Sequence, residues 1–132
     1  GDNMGDIKSS LILRKLLFDK IFFDRKGVKN DNELKFELQV QIGKNDEEIY
    51  KVTLVLNGTK QDEYDISISV SGFFEIQMND EIKNEMVEKL INKNAVAILM
   101  PYLRSELTLL TAQPDTESVV LPPFNINNML EK

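Results

Sequence analysis

The chain has 132 residues, 42% of them hydrophobic and 29% charged, with a net charge of −6 and neither cysteine nor histidine. That length and mix sustain one folded domain with its own core, and the missing residue types remove disulfides, thiolate nucleophiles, imidazole bases and the commonest metal ligands. The acidic balance opposes phosphate backbones, so no nucleic-acid partner, metal or cofactor is expected.

Residues 1–6 read as a disordered leader, with Gly1 ahead of Met4 as a cloning remnant, and 7–132 as a single domain. No basic stretch precedes Leu11-Ile12-Leu13, and Arg14 and Lys15 cut that apolar run. Neither a secretory signal nor a membrane insertion is expected, and the cytoplasm is the default address.

The first strand, "LILRKLLFDKIFFD", is apolar on both parities: Leu11, Leu13, Leu17, Ile21 and Phe23 on one, Ile12, Leu16, Phe18 and Phe22 on the other. Both of its faces want cover, which predicts burial against another subunit. "ELKFELQVQIG" then alternates Leu34, Phe36, Leu38, Val40 and Ile42 with Lys35, Glu37, Gln39 and Gln41, the pattern of a half-buried antiparallel strand. "IYKVTLVLNG" and "YDISISVSG" follow charged turns and complete a meander. "NDEIKNEMVEKLIN" predicts a helix capped by Asn79 or Asp80, with Ile82, Met86, Val87, Leu90 and Ile91 on one stripe. A second helix is predicted in "AILMPYLRSELTLL", where Ala95, Ile98, Leu99, Tyr102, Leu103, Leu109 and Leu110 keep helical spacing while Met100 and Leu107 lie off that stripe. Pro101 either kinks that helix or sits in its first turn. A loop holding Pro114, Pro122 and Pro123 leads to a short terminal turn, "INNMLEK". The expected class is α+β: a four-stranded antiparallel sheet with two helices packed on one face.

Catalytic candidates are weak. The carboxylate groups at Asp46-Glu47-Glu48, Asp62-Glu63 and Asp80-Glu81 fall in turns or at a helix start and read as solvated charges. Ser9, Ser10 and Ser105 have no base motif beside them, and "NGT" at Asn57 reads as a turn. No enzyme activity is expected. "LMPYL" and "LPPFN" carry two readings: Tyr102, Leu103 and Phe124 are core, or they line a groove for an extended apolar peptide, a use to which Met and aromatic side chains adapt well.

Residue order adds a resemblance. "AILMPYLRSELTLL", followed by "VVLPPFNINNML", resembles the "ILFPYAR" helix and "LAPVNFDALF" tail of SecB, the bacterial export chaperone family. "IYKVTLVLNG" and "YDISISVSGFFEI" resemble the family's third and fourth strands, with Gly72, Phe74 and Ile76 in its Gly-x-Phe-x-Ile, and "DKIFFD" resembles the end of its first strand. The resemblance implies an ATP-independent chaperone that holds unfolded or preprotein clients, assembled as a homotetramer, a dimer of dimers. It also implies a client groove at Met100, Tyr102, Leu107, Leu110, Leu121 and Phe124, and SecA as a partner docked on an acidic sheet surface, here represented by Asp24 and Asp65. The connection "RKGVKNDN" is short and lacks the family's Trp and Pro, while Lys20 and Ser67 stand at acidic positions and Asp65 at an apolar one. Two other functions stay open: a chaperone dedicated to one partner such as an antitoxin, and an oligomeric ligand-binding domain that reuses the fold.

Overall fold

A computed structural model describes residues 9–78 and 84–122. Four strands, β1 (Ser9–Arg25), β2 (Leu34–Lys44), β3 (Ile49–Lys60) and β4 (Tyr64–Met78), form one antiparallel sheet in the order β1-β4-β3-β2. One helix, α1 (Asn84–Thr111), lies across one face, chiefly over β4 and β3.

The meander pairs as its alternation requires. Val52, Leu54 and Leu56 of β3 and Ile66, Ile68, Val70 and Phe74 of β4 point to the helix and are buried. Leu34, Phe36, Leu38 and Val40 of β2 pack against them. Gly72 marks the closest approach of sheet and helix: a Cβ there would lie 2.7 Å from Phe74 and 2.9 Å from the Leu99 side chain, so only glycine lets Leu99 seat.

In β1 the register shifts by one residue between Leu13 and Lys15, and again between Phe18 and Lys20. Arg14 and Asp19 are the extra residues, as in β-bulges. Each shift swaps parity, so Leu11, Leu13, Leu16, Phe18, Ile21 and Phe23 all oppose the core-facing residues of β4. The double parity of this strand is therefore largely a phase change within one subunit. Ile12, Leu17 and Phe22 remain on the other face.

The expectation of two helices is corrected: among the described residues there is one, 28 residues long, and Pro101 lies inside it. Ile91, Ala95, Leu99, Leu103 and Leu107 recur every fourth residue, and all are buried along one unbroken stripe with Val96 and Met100. No glycine interrupts positions 84–111. Proline costs the bond that its missing N–H would have donated to the carbonyl four residues back, but Pro101 faces solvent, where water can satisfy that carbonyl. The expected cap at Asn79 or Asp80 and the terminal turn "INNMLEK" lie outside the described residues.

One turn charge is also corrected. Glu63 is fully buried, not solvated. Because β1 and β2 are opposite edges of the sheet, the connection 26–33 must cross the end of the β3–β4 hairpin, and Glu63 sits beneath it. Its backbone oxygen accepts the N–H groups of Lys26 (2.7 Å) and Gly27 (3.1 Å). Its carboxylate pairs with the buried Lys60 ammonium at 2.8 Å and accepts the Asn30 N–H at 2.8 Å. Burial, the largest single influence, pushes this carboxyl up, but the Lys60 bond, the Asn30 N–H and the charges of Lys60 and Arg25 together hold it below its ordinary value of 4.5.

Removing one member of a buried pair strands the other charge. Glu63→Gln is expected to lower stability by about 3 kcal/mol in urea titration at pH 7. Because the folded state binds this proton more weakly than the unfolded chain, the contribution is complete above the ordinary value and lost as pH falls through the lowered one. The gap between parent and Glu63→Gln should therefore narrow as pH falls below the ordinary value; a gap that is constant from pH 7 to pH 3 would contradict the pairing.

Candidate functional site

After Thr111 the chain turns at Gln113-Pro114-Asp115, where Asp115 has a positive φ of 55°, and residues 118–122 return alongside α1 as an extended strap. Polar side chains on the helix hold the strap there. Thr108 Oγ1 donates to the Val119 carbonyl at 2.8 Å, Thr111 Oγ1 accepts the Val119 N–H at 2.8 Å, and Arg104 Nη2 donates to the Leu121 carbonyl at 2.9 Å. Thr111 Oγ1 also donates to the Leu107 carbonyl one turn back, at 2.8 Å. The end of β1 and the 26–33 connection brace the turn from below, through Arg25 on Thr116 Oγ1 and the Lys29 N–H on Asp115 Oδ2 at 3.2 Å.

Between helix and strap runs an open groove of about 590 Å3, with Pro101, Ser105 and Leu109 on one wall, Val120 on the other and Leu121 at its base. Leu109 is 68% and Val120 71% exposed, so two large apolar side chains are held in water at its rim. Tyr102, 45% exposed, continues the outer stripe of the helix. Among the described residues, Arg104 is the one charged side chain in the groove's lining, beside Ser105, Thr108 and the apolar residues, so contact there is chiefly non-directional.

Of the expected groove residues, Tyr102 is on the surface, Leu110 is half-buried, and Met100, Leu107 and Leu121 are in the core. Phe124 lies outside the described residues. Sequence reasoning missed Leu109 as a groove residue and missed Val120 altogether. Their nearest signal was the helix's surplus of apolar positions, more than one buried stripe can absorb.

Asp24 and Asp65 come together as directly paired residues of β1 and β4, on the sheet face away from the helix. Lys26 lies between them, 2.8 Å from Asp24 and 3.7 Å from Asp65. Asp24's bond and charge, then Asp65's charge, hold the Lys26 ammonium above its ordinary value of 10.5. The acidic pair is thus largely offset by its own lysine. Among the described residues no group of three acidic side chains is arranged to hold a metal ion, and no helix is long and apolar enough to cross a membrane.

Comparison with known proteins places this geometry. The family described as preprotein translocase subunit SecB matches residues 13–132. An uncharacterized protein of Methanocaldococcus jannaschii is 37% identical over 65 residues, which is 49% of this chain and 40% of that protein's length. Among solved structures, a SecB-like chaperone of Mycobacterium tuberculosis in complex with a ChAD peptide from the HigA1 antitoxin superposes with a TM-score of 0.72 at 13% identity, over 87% of this chain and 91% of its own. A protein of unknown function from Streptococcus agalactiae gives a TM-score of 0.49 at 21% identity, over 86% of this chain and 98% of its own.

The strap is expected to depend on Thr111, whose hydroxyl serves two buried backbone groups. Thr111→Val should cost about 1–3 kcal/mol and speed elastase cleavage after Val119 or Val120 several-fold before global unfolding. Cleavage as slow as in the parent would mean that the strap is held by packing alone.

Proposed function

The chain belongs to the SecB family of chaperones, and on that premise we propose that it holds unfolded polypeptide without ATP, in the groove between α1 and the strap. The observation that carries the proposal is the exposed apolar rim of Leu109 and Val120, kept open by hydrogen bonds from helix side chains instead of collapsing into the core. Tyr102 extends the contact surface, Leu121 forms its base, and Met100, Leu107 and Leu110 back the helix from beneath. Phe124, a few residues past the strap, is proposed as a further contact on the basis of the resemblance alone. A fold neighbour whose structure contains an antitoxin peptide supports extended polypeptide as the occupant, and the same observation favours a second reading, a chaperone dedicated to one antitoxin-like partner.

Several apolar contacts of about 1.5–3 kcal/mol each when fully buried give useful affinity with little sequence selectivity. Preproteins fall within that client class. SecA is a poor fit as a partner, because the Asp24–Asp65 pair is offset by Lys26 and Lys20 stands nearby on the same face. We take 7–132 as one domain in the cytoplasm.

The proposed assembly is a homotetramer, a dimer of dimers. β1 is an edge strand, and Ile21 (48% exposed) and Phe22 (42%) crop out on opposite faces of it, a pattern that association would cover. Light scattering at micromolar concentration should give four times the chain's 15.2 kDa; a monomeric mass with a cooperative melt would contradict the assembly.

Holding is tested with Leu109→Ser combined with Val120→Ser. Both side chains are exposed in the protomer, so the fold should survive, as circular dichroism and scattering can verify. The double variant should lose most suppression of client aggregation, measured without nucleotide, and each single variant only part of it. Full suppression by the folded double variant would move the client site elsewhere.

A further inference from the structure

The sheet face away from the helix has a character of its own. Lys15 and Lys51 both lie over the Phe73 ring, each ammonium 5.7 Å from its centroid, and Lys20 lies over the Phe22 ring at 5.3 Å. Carboxylates on this face are largely engaged: Glu75 with Arg14, Asp24 and Asp65 with Lys26, and Asp19 with the Ser71 hydroxyl and Lys51. Lys15, Lys20 and Lys35 have no carboxylate within 4.0 Å among the described residues. Lys20 and Phe22 stand on one side of an open saddle of about 600 Å3 and Lys35 on the other, with Asn57, Thr59 and Ser67 between them and the carboxylates of Asp65 and Glu37 also in its lining. A chain of net charge −6 thus places two lysines without a carboxylate partner among the described residues, Lys15 and Lys20, over aromatic rings on its flat face.

We propose that this face docks an acidic segment of a partner polypeptide, with carboxylates meeting Lys15, Lys20 and Lys35 and apolar side chains resting on Phe22 and Phe73. Charge complementarity identifies the occupant. Lysines flattened over rings present ammonium groups beside apolar surface, which suits a chain that mixes carboxylates with apolar side chains. A nucleic acid fits less well. Asp19, Asp24, Asp65, Glu37 and Glu75 are interleaved with the lysines, so no continuous cationic track exists for regularly spaced phosphates.

The test uses fluorescence anisotropy of labelled poly-L-glutamate, with single-stranded poly-thymidylate as the competing polyanion, and Lys15→Glu with Lys20→Glu as the variant. None of these lysines lines the groove beside α1, so client holding serves as an independent readout of an intact protein. Poly-L-glutamate should bind the parent more tightly than poly-thymidylate, weaken as salt rises, and bind the charge-reversed variant at least tenfold less well. The neutral pair Lys15→Gln with Lys20→Gln should fall between, and this milder change keeps the comparison available if charge reversal disturbs the fold. Equal or tighter binding of poly-thymidylate through the same lysines would overturn the assignment to polypeptide. Absence of poly-L-glutamate binding, or binding unchanged in both variants, would overturn the docking face itself.

Discussion

Two inserted residues in β1, Arg14 and Asp19, decide what each face of the sheet presents. A strand with strict period two would turn Leu16 and Phe18 away from the helix side while Leu11 and Leu13 faced it. Each inserted residue resets the phase, and the apolar side chains return to the core side. The inserted residues also furnish the opposite face: Arg14 Nε donates to Glu75 at 2.8 Å, and Asp19 accepts from Ser71, whose hydroxyl lies 2.7 Å from that of Thr53. A bulged edge is a poorer template for unintended strand pairing than a flat one, so the same device tunes core, open face and edge together.

The helix side depends on that phase. With β1, β3 and β4 all delivering apolar side chains, α1 buries one long stripe and seats Leu99 against Gly72. Two more of its large apolar residues, Tyr102 and Leu109, stay outside the protomer's core. The strap turns that surplus into a groove. Arg104, Thr108 and Thr111 hold backbone of residues 119 and 121, which leaves Val120, between them, pointing outward by simple alternation. These hydrogen bonds go to strap backbone, so they hold the strap whatever side chains it carries.

Much of this was legible in residue order. The alternation in β2, β3 and β4 gave those strands with their faces, and the resemblance carried by "MPYL" and "LPPF" pointed to the family. What stayed hidden has physical causes. No glycine or proline marks the inserted residues of β1, so its double parity read as a demand for a partner. "NDEIKNEMVEKLIN" and "AILMPYLRSELTLL" read as two helices, yet the polar residues between their apolar positions do not stop a helix whose buried stripe continues in phase. Helical spacing alone ranks residues by face without saying which face is covered, so it did not separate Leu107, in the core, from Leu109, in solvent. Glu63 resembled any other turn carboxylate, and only the crossing of the β1–β2 connection over the hairpin shows why it is buried.

The claim at the centre is that clients occupy the groove between α1 and the strap. Backbone hydrogen exchange of the chain, followed by mass spectrometry with and without an excess of a permanently unfolded client, tests it most directly. Added protection concentrated in the helix from 101 to 109 and in the strap from 118 to 122, with β2 and β3 unchanged, is the predicted footprint. Protection confined to the sheet, or an unchanged exchange pattern under conditions where the client is held, would contradict it.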